Sequence, residues 1–177
     1  MDCFSHPEAT DELFAMAGIS CDAYVLDMGA GNGESRCSVC IDKEPRGDNV
    51  VRADMLDLPY ADGTFDAVLS QCAFYVSGDP GKAFSEAMRV LKPGGKLMLS
   101  DVFFFDPDII PPWNGYDCRK NITSRWREYY IRMIWEGSVP ECFTDIRRKE
   151  GRSPEYYLLV YTKNEGSYSN GSDGKNT

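Results

Sequence analysis

"YVLDMGAGNGES", residues 24–35, decides the fold. An apolar run stops at Asp27, glycines follow at 29, 31 and 33, and a second acid stands at Glu34. Glycines let a ligand approach a backbone that a Cβ would shield. A glycine-rich turn after the first strand of a parallel α/β sheet lies at the ligand crevice. The dinucleotide fingerprint is G-x-G-x-x-G. Gly29, Gly31 and Gly33 give G-x-G-x-G instead, and Glu34 takes the place of the last dinucleotide glycine. No Gly-Lys-Ser/Thr follows, so a P-loop fits worse still. Charge discriminates further. A pyrophosphate here would meet Asp27 and Glu34 before any cation, since the first basic residue is Arg36. Like charges ~4 Å apart repel by about 4 kcal/mol at an effective dielectric of ~20. A helix N-terminus returns only about 0.3–1 kcal/mol to an anion. The loop suits a ligand with a cationic part and no phosphate.

Outward from this loop, strands and helices alternate. Residues 23–28, 49–54 and 65–71 read as buried strands, as do 96–105 and 155–161. Ser5-His6-Pro7-Glu8 reads as a capping box for a helix whose face is Leu13, Phe14 and Ala17, ended by Gly18. Asp79 caps a second helix with Pro80 at its first position; Phe84, Ala87, Met88 and Leu91 form its core stripe, and "KPGG", 92–95, stops it. A third amphipathic helix is expected over about 123–136. Nearly continuous apolar strands imply a mostly parallel sheet covered on both faces.

The bulk properties agree. A chain of 177 residues with 42% hydrophobic and 12% aromatic content fits one domain. That domain is expected over 1–163, with 164–177 a disordered tail of Asn, Gly, Ser and Lys. The net charge of −9 argues against a nucleic-acid partner. No apolar run is long enough to span a membrane, and the first residues have no secretion-signal pattern, so a cytoplasmic protein is expected. Seven cysteines with a single C-x-x-C, Cys37 and Cys40, and one histidine, His6, predict reduced thiols and no metal site.

The motifs carry a resemblance. "VLDMGAGNG" resembles the first motif of class I S-adenosylmethionine-dependent methyltransferases. "VRADMLDLPYADGTFDAVLSQCAFY" and "AFSEAMRVLKPGGKLMLSDV" are similar to the following motifs of their UbiE-like (type 11) branch. The resemblance covers about 23–102 and implies a Rossmann-like three-layer α/β sandwich. It implies S-adenosylmethionine as cofactor and direct in-line methyl transfer to a small molecule. Asp27 and Gly29 would face the methionine part, with Ala30, Gly31 and Gly33 along its sugar and backbone. Asp54 and Met55 match the position that recognises the adenine. Ser70, Gln71 and Cys72 would line the space between cofactor and substrate. For Gly33, plain turn geometry explains the residue equally well.

Two departures stand out. The family has a helix between the glycine loop and a second strand ending in a ribose-binding acid. Here Asp42 follows too soon for an ordinary parallel crossover. Either "SVCID" is the second strand, reached through a bare loop, and Asp42 or Glu44 holds the ribose; or "ESRCSVC" is a short helix, "NVVRAD" is the second strand and Asp54 is the ribose acid. The first is preferred because "IDKEP" resembles the family's strand end. A third reading is that the crossover helix is missing from the chain. Beyond Asp101, "DPDIIPPWNGYDCRKN" is too Pro-rich for the family's further helix and strand. The sandwich is thus expected to be shortened after the first strand and before the last. Val25 and the apolar residues of 49–53 and 66–69 would then lose cover, leaving marginal stability or a homodimer.

No general base is identified, and the catalytic residue stays unassigned. His6 could reach the site if the first helix folds over it, or simply precede that helix. Tyr75, Trp126, Tyr129 and Tyr130 could wall a substrate, although core packing demands the same spacing. "SQCAFYVSGDP" also resembles arsenite methyltransferases, where cysteines hold the metalloid, but the remaining cysteines do not match that placement. The rival of another class is a non-catalytic binding or accessory protein on the same fold.

Overall fold

The computed structural model describes residues 7–74, 77–103, 117–121 and 155–164. In chain order the elements are α1 (Pro7–Ala17), β1 (Val25–Met28), β2 (Val39–Asp42), β3 (Val50–Arg52), β4 (Phe65–Gln71), α2 (Pro80–Val90), β5 (Leu91–Phe103), β6 (Asp117–Asn121) and β7 (Glu155–Thr162). They form one seven-stranded sheet in the order β3-β2-β1-β4-β5-β7-β6. Neighbours from β3 to β5 are parallel, and β7 runs antiparallel to both β5 and β6.

Side-chain alternation along each strand feeds two cores. On one face Val25, Ala67, Leu69, Met98 and Val160 pack under Ala9, Leu13 and Ala17 of α1. On the other, Leu26, Met28, Val68, Leu97 and Leu99 pack under Phe84, Ala87 and Met88 of α2. The result is helix, sheet, helix: the three-layer α/β sandwich expected from the sequence. The start of α2 is also as expected, while its end comes at Val90, with Leu91 and "KPGG" already in β5. Asp79 Oδ1 accepts from the Lys82 amide at 2.9 Å, Pro80 opens the helix, and all four residues of the core stripe are buried. The strand that follows starts earlier than 96. Leu91 already pairs with Phe65, and Lys92-Pro93-Gly94-Gly95 is accommodated by a register shift before Ala67 meets Lys96.

The crossover question resolves in favour of the bare loop. β2 ends at Asp42 and lies against β1, with Asp27 beside Cys40; β3 pairs with β2 and is not the second strand. Residues 29–38 form no helix, and neither do 43–49. Strands this short make the return feasible: four residues at ~3.3 Å each span about 13 Å, well within reach of either loop. Two expectations are corrected. Residues 117–121 do form a strand, so the Pro-rich stretch before them does not abolish that element. Val25, Ala67 and Leu69 do not lose cover, because α1 buries them. Loss of cover is confined to the edge, where Val51 is 55% exposed. The helix expected over 123–136, the residues Ser5 and His6, and the tail from 165 lie outside the described residues.

Candidate cofactor site

The glycine loop joins the carboxyl ends of β1 and β2. Gly29, Gly31 and Gly33 all take positive φ, +82°, +55° and +72°, a region that side-chain-bearing residues avoid. Its amides are already engaged inside the protein. Gly29 and Ala30 both donate to the Ile41 carbonyl at 2.9 Å, Gly33 donates to the Ala30 carbonyl, and Gly31 donates to Asp42 Oδ2 at 2.9 Å. A phosphate cradle needs such amides turned toward the ligand. Their engagement agrees with the charge argument against phosphate. A Cβ on Gly29 would collide with Ala73 Cβ and come within 3.3 Å of Met55 Cε. A Cβ on Gly33 would meet Asn49 and Val50. The glycines thus serve close packing between loops. For Gly33 this favours the structural explanation, since Asn49 also donates to its carbonyl.

Three acids stand at this end of the sheet. Asp27 is 5% exposed, and its carboxyl is pushed up to about 6, chiefly by burial. A hydrogen bond from Ser35 opposes the rise, and the charge of Asp42 adds to it. Asp42 accepts from Gly31 through one oxygen and from the Glu44 amide through the other, at 2.8 Å. Asp54 accepts from the Leu56 amide and pairs with Lys43 at 3.2 Å; both hold its carboxyl below the usual range, the amide more than the lysine. A carboxylate offers about four lone-pair positions, so Asp42 keeps capacity for a diol while bound to two amides. These residues fit a phosphate-free ligand with a cationic end and a ribose.

Known proteins share parts of this sequence and its fold. The methyltransferase-domain family model matches residues 36–99, leaving the glycine loop outside the match. A sarcosine/dimethylglycine N-methyltransferase from Halorhodospira halochloris is 38% identical over 105 residues, covering 45% of this chain and 38% of the relative. A demethylmenaquinone methyltransferase from Paenarthrobacter aurescens is 29% identical over 161 residues, covering 90% of this chain and 52% of the relative. The chain is similar to the class I S-adenosylmethionine-dependent methyltransferases of the UbiE-like branch. S-adenosylmethionine is the methyl donor of that family. The chain spans about half or less of the length of these relatives. The 105 positions of the first match exceed the residues that 45% of this chain supplies, so that relative carries residues inside the match with no counterpart here. Among solved structures, the [4+2]-cyclase SpnF shares the fold with a TM-score of 0.65 at 16% identity, covering 90% of this chain and 82% of that one.

At the end of β4 the side chains expected to line the cofactor also make contacts within the fold. Ser70 donates to the Met28 carbonyl at 2.9 Å and is committed to the sheet. Gln71 accepts from Thr10 of α1 at 3.0 Å and donates to Ser100 at 3.3 Å. Cys72 is buried against the α1 core and holds a positive φ of +52°. That conformation costs about 1–3 kcal/mol for a residue with a side chain, and such strain gathers at functional sites. Tyr75, Trp126, Tyr129 and Tyr130 lie outside the described residues. Sequence reasoning missed Ser35, which bonds Asp27 and lies 3.5 Å from Cys40 Sγ. It also missed the 43–49 loop as a lid on the glycines: Arg46 donates to the Gly31 carbonyl, and a Cβ on Gly47 would strike the Asn32 carbonyl. The Gly47-Asp48-Asn49 turn residues were the available signal.

Proposed function

We propose that this chain transfers a methyl group from S-adenosylmethionine to a small molecule by direct in-line displacement. The observation that carries the reading is the set of three carboxylates, Asp27, Asp42 and Asp54, at the carboxyl ends of β1, β2 and β3. They surround a glycine loop whose amides are turned inward. In this reading Asp27 attracts the cationic methionine end, Asp42 accepts from the ribose hydroxyls, and Asp54 with Met55 borders the adenine. Ala30 and Gly31 border the cofactor, while Gly29 and Gly33 let the loop pack tightly on Ala73, Asn49 and Val50 and so fix its path. Ser70 and Gln71 brace the β4 end behind it, and Cys72 orients the following turn toward the acceptor, beside which Tyr75, Trp126 and Tyr130 would stand. The bound cofactor supplies an electrophilic methyl on sulfur. The protein's work is alignment, from which much of the rate of such a displacement comes. A neutral amine or a thiolate acceptor needs no strong base, in keeping with a site in which none is identified among the described residues.

Calorimetric titration with S-adenosylhomocysteine tests the reading. Binding is expected to weaken as pH falls through about 6, where Asp27 takes up its proton. Saturable binding with no methyl transfer to any acceptor would favour the accessory-protein alternative. The fold alone does not decide between them, since one structural neighbour is a cyclase. Metalloid methylation receives no support from Cys72, which packs in the core.

A further inference from the structure

Ser35 lies on the bare crossover between β1 and β2, half-buried, in a bend just after the glycine loop. Its hydroxyl is 3.5 Å from Cys40 Sγ. Cys40 stands beside Asp27 in the parallel register of β1 and β2, and neighbouring strands lie ~4.8 Å apart. The hydroxyl is therefore within reach of the Asp27 carboxyl, and it hydrogen-bonds that group. It also bonds the Cys37 thiol, further along the crossover. A hydroxyl has one proton to donate and two lone pairs that accept. Both thiols are held protonated, chiefly by burial, with Cys37 pushed up to about 12. Each is thus a weak S–H donor to Ser35, and the proton of Ser35 goes to Asp27.

The other neighbours of Asp27 work against its charge or leave it alone. The residue is 5% exposed, and burial favours the neutral acid. Asp42, at the end of β2, repels a second negative charge. Cys37 and Cys40 are neutral, and Leu69, the register partner on β4, is apolar. Asp11 of α1 lines the same cavity as Ser35 and is exposed. Glu34 and Arg36 flank Ser35, are exposed and have opposite signs. No salt bridge reaches Asp27 among the described residues. The hydrogen bond from Ser35 acts the other way, because a donor aimed at a carboxylate stabilises its ionised form. We propose that Ser35 is a positioning residue of the cofactor site, whose hydroxyl keeps the buried Asp27 carboxylate ionised at neutral pH. The hold of Ser35 on Asp27 is independent of the methyl-transfer reading. Its use, to present a negative charge to the cationic end of the cofactor, rests on that reading.

Two readouts on the full chain test this separately. The first needs no cofactor: the Asp27 carboxyl is followed by NMR through a pH titration, its signal assigned by its loss in Asp27→Asn. Ser35→Ala is expected to move the midpoint up by about one pH unit. Ser35→Thr keeps the hydroxyl and should leave the midpoint in place. Ser35→Cys, of similar size with a weaker donor, should move it part of the way, and it carries the test if the alanine variant does not fold. A midpoint that stays put or falls in Ser35→Ala and Ser35→Cys overturns the proposal, whatever happens to Tm. A merely structural hydroxyl would lower Tm without moving the titration. The second readout is calorimetry with S-adenosylhomocysteine. Ser35→Ala should bind it about threefold more weakly at pH ~6.5 and as tightly as wild type at pH ~8.5. No loss at the lower pH, or an equal loss at both, overturns the role in binding. Wild-type protein that ignores S-adenosylhomocysteine while the midpoint moves as expected would uphold the hold of Ser35 on Asp27 and remove the methyl-transfer reading.

Discussion

The sheet is built in two ways. From β4 to β5 the chain crosses over through α2, capped at its start by Asp79 and clamped along its side by Arg89. That arginine donates to Glu86, to Asp62 and to the carbonyls of Leu58 and Tyr60, holding the 58–62 loop against the helix. From β1 to β2 to β3 the chain crosses over through two bare loops. There the sheet is held by mutual stitching: glycine amides on Ile41 and Asp42, Asn49 on Gly33, Arg46 on Gly31. A parallel crossover therefore needs cover and satisfied backbone groups more than it needs a helix. Cover for β1 comes from outside that connection, from α1, which directly precedes it in the chain.

The stitched half should break first under added bulk. Gly29→Val places a β-branched residue at φ +82° and drives a side chain into Ala73. A loss of about 4 kcal/mol is expected from left-handed strain plus overpacking, read from urea unfolding. A mild effect there would mean that the loop yields, and the contrast between the halves would fail.

Asp27→Asn should act in the opposite direction on stability. The folded carboxyl sits at about 6 against an ordinary 3.8, so between those values the native state holds the proton more tightly than the unfolded chain. Asp27 therefore costs stability increasingly as pH rises through that window, reaching about 3 kcal/mol above it. The variant should melt higher than wild type at pH 8 and lose that advantage below pH ~4. It should also bind S-adenosylhomocysteine more weakly at pH 8. Equal melting at both pH values would show that the buried acid is not strained.

In the helical half, Arg89→Leu frees the 58–62 loop and strands two carbonyls. Part of the side chain is solvent-exposed, so screening discounts its ion pairs and a loss of about 2 kcal/mol is expected. Smallest of all is Val51→Lys on the exposed edge. Monomer stability should move by less than about 0.5 kcal/mol. If a second copy covers that edge, sedimentation velocity will show the variant dissociating where wild type does not.

What the sequence disclosed follows the same division. β4 was legible to the residue, 65–71, and α2 by its cap and stripe, because local chemistry writes those signals. The acid at the end of β2 was legible only through the resemblance of "IDKEP" to the family's strand end, since its spacing from the loop argued against it. β6 was not. "DCRKN" has no apolar alternation, and it becomes a strand only by pairing with β7, which lies far along the chain. Strand propensity is weak against such tertiary pairing. Ser35 was hidden for a similar reason, since only the parallel register of Asp27 with Cys40 brings a loop hydroxyl over both. Lys163 closed the expected domain with no role read for it. In the structure it is 5% exposed and donates to the Leu91 carbonyl at 2.6 Å and to the Arg89 carbonyl, closing the end of α2.

That lysine and the strand before it have a consequence for how the molecule is made. β7 is the last described strand to be synthesised, yet it is inserted between β5 and β6. Its end is stapled to Gly94 and Gly95. While the ribosome still holds residues 155–163, β5 has an open edge and α2 an unfinished end. Exposed strand edges of this kind invite pairing with other chains. Synthesis that pauses before Lys163 should leave a nascent chain dependent on chaperones, and the fold closes only when those last residues emerge.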